Sequence, residues 1–298
     1  MKFGARSTCD DVVASLDLTG RNILVTGANA GIGFETARSL ASRGAHVMVG
    51  CRDAAKSADV CARIQALHPD ARVSELVLDL ASFASVRAAA ASVGAVDTLI
   101  FNAGIYAARY ETTADGIEST VGVCHFGHFL LFSLLRHKLA PGSRVVAVAS
   151  ESHRFPSTMK LDKLPLQARN YQPLVAYGQA KLCNVLFVNE LARRHPELGA
   201  YSLHPGSMIG TDIFRSSVAA KALALVVRPF TKSIAQGAAT TVYCATARGL
   251  TSGRYYADCA EKAMSKGAQD REVAARLWEL SEARVADQRR LGLQITAL

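Results

Sequence analysis

The sequence predicts an α/β fold: a doubly wound, mostly parallel sheet of about seven strands with helices on both faces. Three observations predict it. The Val-, Ile- and Leu-rich runs are continuous rather than alternating, as parallel strands covered on both faces require. They alternate with helix-period segments at the spacing of right-handed βαβ units. A glycine-rich turn also follows the first run directly.

Taken in order, the first strand is NILVT at 22–26, and a helix is predicted over 31–42. AHVMVG at 45–50 is the second strand, with a helix over 54–67. A strand over 72–78 precedes an Ala-rich helix after Ser82, and DTLIF at 97–101 precedes a long helical region over about 113–139. SRVVAVA at 143–149 is another buried strand. The Pro- and Gln-containing stretch 154–173 reads as a surface excursion between a strand and a helix, flanking a site. A helix then carries AYGQAKLCN, and a further strand ends at Leu203-His204-Pro205-Gly206. No repeat, low-complexity tract or Gly/Ser/Pro linker interrupts the chain. Residues 1–298 are therefore expected to form a single domain, with 1–20 as an N-terminal extension.

Half the residues are apolar, enough for a large core, and 34 basic against 25 acidic residues give a net charge of +9. The longest basic runs are only the pairs Arg193-Arg194 and Arg289-Arg290. No stripe or cluster marks a nucleic-acid binder, so nucleic acid is not expected as a partner. A mildly positive cleft would attract a phosphorylated anion. The seven cysteines include no C-x-x-C pair and sit in apolar stretches, the pattern of reduced thiols used as small hydrophobes in a cytoplasmic protein. The N-terminal residues lack an apolar signal core, and no apolar run approaches the roughly 20 residues that span a membrane.

Chemistry-bearing residues stand at the ends of these strands. After the first comes Thr26-Gly27-Ala28-Asn29-Ala30-Gly31-Ile32-Gly33. Gly27 permits a tight turn, Gly31 lets the backbone approach a diphosphate, and Gly33 lets the helix pack on the sheet. The helix start then offers free N–H groups and partial positive charge to phosphates. The second strand ends in Gly50-Cys51-Arg52, the third in Asp79-Leu80, the fourth in Asn102-Ala103-Gly104 and the fifth in Ser150. Tyr177 and Lys181 stand four apart, on one helix face.

TGANAGIG, the N-A-G at 102–104 and Ser150 with Tyr177 and Lys181 resemble the short-chain dehydrogenase/reductase family, and the resemblance covers nearly the whole chain. SESHRF, LVAYGQAKLCNVLF, HPGSM and RPFTKSIAQGAATTVYCA are similar to its retinol-dehydrogenase-like branch. This implies a Rossmann-like fold and a nicotinamide cofactor held by Gly27, Asn29, Gly31, Ile32, Gly33, Arg52, Asp79, Leu80, Asn102, Ala103, Gly104, Tyr177, Lys181, Pro205 and Gly206. Arg52, with no acid at the strand tip, selects NADP(H), because a guanidinium pairs a 2′-phosphate that a carboxylate would repel. In the family's scheme Tyr177 is the general acid/base, Lys181 steadies its phenolate and the ribose hydroxyls, and Ser150 bonds the substrate oxygen.

The expected activity is hydride transfer between the nicotinamide and a lipophilic carbonyl or alcohol, retinoid-, steroid- or aldehyde-like. The alternatives are an NADP(H)-binding regulator or scaffold with weak or no turnover, and a C=C reductase. One departure stands out: the family's fourth catalytic residue, an Asn, falls on Cys124, and a thiol cannot copy an amide, which predicts a weakened proton relay. The apolar stretch 207–230 is expected to form a substrate lid, with peripheral membrane contact as the lesser reading. The family often dimerises, so a homodimer is implied beside the small-molecule partner. His125 and His128 at i, i+3 lack a third ligand and read as packed or capping residues, with no metal. His153 and His204 fall near the site loops, and Trp278 reads as core.

Overall fold

The computed structural model describes residues 3–157, 159–206 and 232–295, with side chains described as far as residue 286. The predicted lid, 207–230, lies outside the described residues. Thr8 caps α1 (Cys9–Val13) in a reciprocal pair with Asp11. β1 (Asn22–Thr26) runs through the glycine turn into α2 (Gly31–Ala41), and β2 (His46–Cys51) into α3 (Ala54–Leu67). β3 (Arg72–Val77) leads to α4 (Phe83–Ser92), started by the Ser82 side chain. β4 (Thr98–Phe101) is followed by α5 (Ser119–Val121), a π-helical turn over Gly122–Phe126, and α6 (Gly127–Leu135). Then come β5 (Arg144–Val148), α7 (Pro173–Arg194) and β6 (Gly199–Leu203). α8 (Ile234–Thr246), β7 (Arg254–Ala257), β8 (Ala260–Lys262) and α9 (Arg271–Ile295) complete the described elements.

The strands form one sheet in the order β3-β2-β1-β4-β5-β6-β7-β8. All neighbours are parallel except β7 and β8, so the sheet has eight strands where about seven were expected. Six of them were placed along the sequence; the four-residue β7 was not, nor was β8, a three-residue exposed edge strand too short and polar to register as an apolar run. The helical region expected over 113–139 begins only at Ser119. Before it, Thr112 and Glu118 pair across a tight turn at Gly116, and both oxygens of the buried Glu118 carboxylate cap the helix at Thr120 and Val121. The ends of the strands that were placed agree with expectation to within about a residue, as hydrogen-bonded ends do.

Alternation along each strand divides the core between the two faces. Leu24 points to the face covered by α4, α6, α7 and α9, whose aromatic centre is Phe129, Phe132, Phe187 and Trp278. The Trp278 indole stacks on Phe187 at 5.7 Å, as a core residue should. Ile23 and Val25 point to the other face, covered by α1, α2, α3 and α8. All seven cysteines are free and buried. Among the described residues, no helix is long and apolar enough to cross a membrane.

Candidate active site

The strand order reverses between β1 and β4, opening a crevice at their carboxyl ends, where open α/β sheets bind ligands. At that point Gly27 N donates to Gly50 O at 2.8 Å, and Gly27 and Gly31 take φ of +66° and +57°. An L side chain there would be strained. A Cβ on Gly33 would lie 2.3 Å from Gly27 O, so only glycine lets α2 sit this close to the turn. α2 starts at Ala30 with no side-chain cap, leaving its first N–H groups free for an anion. Asn29 is exposed and Ile32 half-buried on the rim of this turn.

Asn102 fastens the turn to β4: its Nδ2 donates to Thr26 O at 2.9 Å and Gly27 O at 3.2 Å. Thr26 Oγ1 accepts from the N–H groups of Asn102 and Ala103, both at 3.0 Å. The same hydroxyl meets His128 Nε2 at 2.8 Å, and His128 Nδ1 donates to Cys124 O at 3.1 Å. Burial holds His128 neutral, its pKa pushed down to about 3, and its ring stacks on Phe101 at 4.6 Å. It is packed, as expected, but also ties the π-helical turn to the glycine turn. Motif reading missed Thr26 and His128; the signal was a Thr closing an otherwise apolar strand.

Arg52 is exposed at the tip of β2, and Asp53 is turned away into the N-cap of α3, accepting from Lys56 N at 3.2 Å. Asp79 bonds within its own loop, accepting from Ala81 N at 2.9 Å, while Leu80 is buried with its carbonyl against Gly127.

Ser150 follows β5 and starts a 3-10 turn over Glu151–Arg154, its Oγ accepting from Ser152 N. His153, fully buried, donates through Nδ1 to Ser150 O at 2.7 Å and accepts from Ser265 N through Nε2, fixing the serine backbone from below. Gly178 of α7 leaves room for this turn; a Cβ there would sit 3.0 Å from Ser152 O. Ser150 is thereby held against the end of α7 that carries Tyr177 and Lys181. Lys181 is buried, donates to Val148 O at 2.9 Å and places Nζ 5.5 Å from the Tyr177 ring centre. Asn184 shares that carbonyl at 3.4 Å. A Cβ on Gly104 would lie 3.1 Å from Lys181 Nζ and 3.4 Å from Cys124 Sγ, so these three groups line one wall. Burial pushes the Cys124 thiol up, against the pull of the Lys181 charge, and among the described residues Sγ makes a long contact of 3.8 Å with Ile105 O. Gly206, beyond β6, is held through His204.

Among the described residues no cluster of histidine, cysteine or carboxylate side chains could hold a metal; His125, pushed down to about 3 by burial, bonds Ser281 instead. A cavity of about 440 Å³ between Arg254, Lys262, Met264 and Gln269 lies at the β7–β8 edge and includes none of the residues above.

A glycine turn at the switch point of a parallel sheet, with Ser, Tyr and Lys converging on the same end, defines a nucleotide-dependent oxidoreductase. The short chain dehydrogenase family matches residues 21–161, and the chain belongs to the short-chain dehydrogenase/reductase family. It is 46% identical over 288 residues to the WW domain-containing oxidoreductase of Danio rerio, covering 91% of this chain and 70% of that protein. It is 39% identical over 294 residues to retinol dehydrogenase 12 of Homo sapiens, covering 94% and 90%. The crystal structure of a short chain dehydrogenase from Burkholderia cenocepacia in complex with NADP superposes with a TM-score of 0.64 at 25% identity, covering 80% of this chain and 96% of that one. The chain is thus similar to about 70% of the length of WW domain-containing oxidoreductase and to 90% of that of retinol dehydrogenase 12.

Proposed function

We propose that the protein is an NADP(H)-dependent reductase of lipophilic aldehydes and ketones, reversible as alcohol oxidation. One observation carries the reading: Lys181 is buried, anchored on Val148 O and set beside the Tyr177 ring, on the helix end that packs against the turn of Ser150.

The residues present fit the cofactor. The left-handed Gly27 and Gly31 and the uncapped start of α2 cradle a diphosphate, and Gly104 keeps the wall at Lys181 open. Exposed Arg52, with Asp53 turned away, favours a 2′-phosphate, and the NADP in the Burkholderia relative supports the same choice. When bound, the nicotinamide supplies or takes up the hydride. The protein manages the proton. Tyr177 Oη donates it to the carbonyl oxygen as negative charge develops, and Ser150 Oγ–H bonds the same oxygen. The Lys181 ammonium steadies the phenolate left behind.

A greasy substrate is supported by the exposed apolar side chains of Phe155, Leu174 and Val175 flanking the Ser150 turn and the start of α7, and by the name of the relative retinol dehydrogenase 12. The test is NADPH consumption, with NADH in parallel, against retinal, steroid ketones and medium-chain aldehydes. NADPH-dependent turnover abolished in Tyr177→Phe supports the reading; turnover unchanged in that variant defeats it.

Cys124 favours a second reading, a cofactor-binding regulator with little turnover, because a buried thiol with one weak partner stands beside Lys181. Tight NADPH binding without turnover across the panel selects it.

A further inference from the structure

His204 and Glu151 form a pair that the proposed reaction does not use. The two side chains come from different strand ends, β6 and β5, and meet at 3.1 Å between His204 Nε2 and Glu151 Oε1. On its other side the ring accepts from Gly206 N at 3.1 Å through Nδ1. One nitrogen therefore carries a proton toward the carboxylate while the other must be bare to receive the Gly206 N–H. Gly206 has φ +117°, a conformation open to glycine alone, so this hydrogen bond and the Lys232 stem packed on Gly206 hold a turn with little preference of its own. The ring lies near-parallel to Tyr255, with centres 6.0 Å apart.

We infer that His204 is a positioning residue for the Pro205-Gly206 turn, holding it through Nδ1 only while the imidazole is neutral, with Glu151 selecting the required tautomer. The inference rests on the proposed reading in one respect, that this turn lies against the bound cofactor. Protonation would place a second N–H against that of Gly206 and release the turn.

The surroundings set where this happens. Burial pushes His204 below the ordinary histidine range; Glu151 and Asp258 favour its charged form, while Lys232 and Arg154 oppose it. His153 lies on the same turn as Glu151, and the nearby Lys232 and Asp258 are themselves paired at 2.5 Å. The neutral, turn-holding form therefore prevails at neutral pH, and the contact is lost on the acid side.

The experiment compares the parent protein with His204→Asn, His204→Phe and Glu151→Gln. Its two readouts are the Gly206 amide resonance across pH without cofactor and the NADPH dissociation constant across the same range. Asn keeps an acceptor near Nδ1 that does not titrate, and Phe keeps the ring against Tyr255 without an acceptor. In the parent, acidification should shift the Gly206 amide and weaken NADPH about 3- to 10-fold, the scale of one hydrogen bond. Titration of the 2′-phosphate is common to all four proteins; against that shared background the Asn variant should keep a flat Gly206 amide and bind as the neutral parent does, and the Phe variant should bind weakly at every pH. Glu151→Gln should move the transition to lower pH, since it removes a charge that favours the imidazolium. A Gly206 amide indifferent to His204 titration, or a Phe variant that binds like the parent, overturns the inference. A parent that binds no NADPH defeats the cofactor reading instead, and the amide titration then decides the His204 tie by itself.

Discussion

The side chain of His128 meets the hydroxyl of Thr26 at 2.8 Å, joining the π-helical turn beside Lys181 to the glycine turn at the end of β1. Because Thr26 Oγ1 also accepts two backbone N–H groups, it is the hub of the crevice floor. Thr26→Val keeps the shape and removes all of these partners. Unsatisfied buried donors cost about 1–3 kcal/mol each, so a net loss of about 2–4 kcal/mol is expected in urea denaturation, with weaker NADPH binding. Thr26→Ser should recover most of both; equal stability of Val and parent would contradict the role.

Acid should weaken the fold through the buried histidines. His125 and His128 each have folded values near 3 against an ordinary 6.5. Between those values the unfolded chain binds protons that the native chain refuses. Their contribution to stability is complete above about pH 6.5 and lost as pH falls toward 3, at up to about 1.4 kcal/mol per pH unit for each histidine. Urea midpoints measured from pH 7 to pH 4.5 should fall on this slope, and His128→Gln should make it shallower. A flat profile from pH 7 to 5 rules the effect out.

Tyr177→Phe should lower kcat about 10²- to 10⁴-fold, the usual worth of a positioned proton donor, with NADPH affinity within about twofold of the parent. A comparable loss of affinity would mean that the hydroxyl also holds the cofactor, since Phe keeps the ring and its edge contact with Tyr106.

Arg52→Asp tests cofactor choice. Exchanging a charge-assisted donor for a like charge should weaken NADPH by about 10- to 100-fold while leaving NADH unchanged or better bound. Equal effects on both nucleotides would remove Arg52 from the choice.

Cys124→Asn supplies an amide where, among the described residues, the thiol makes one long contact. If the thiol weakens proton exchange at Lys181, kcat rises several-fold while the NADPH dissociation constant stays put. An unchanged kcat with intact folding shows that Lys181, anchored at Val148 O, works without a partner at position 124.

The sequence by itself determined the first six strands, the winding and the residues at their ends, because these are local: apolar runs, a glycine triplet, a Tyr and a Lys one helical turn apart. It also carried the departure at Cys124. It left the start of the helix after β4 unread, because a buried Glu118 capping at Ser119, and not periodicity, ends the preceding turn. The exposed β8 carries no apolar run to find. Only the tertiary structure decided what braces the site. Thr26 with His128, Ser150 with His153, and His204 with Glu151 and Gly206 include partners from separate elements or with a single polar atom turned inward. Spacing cannot show such ties, since packing the helices on the sheet selects which nitrogen of each imidazole is bare and which group it faces.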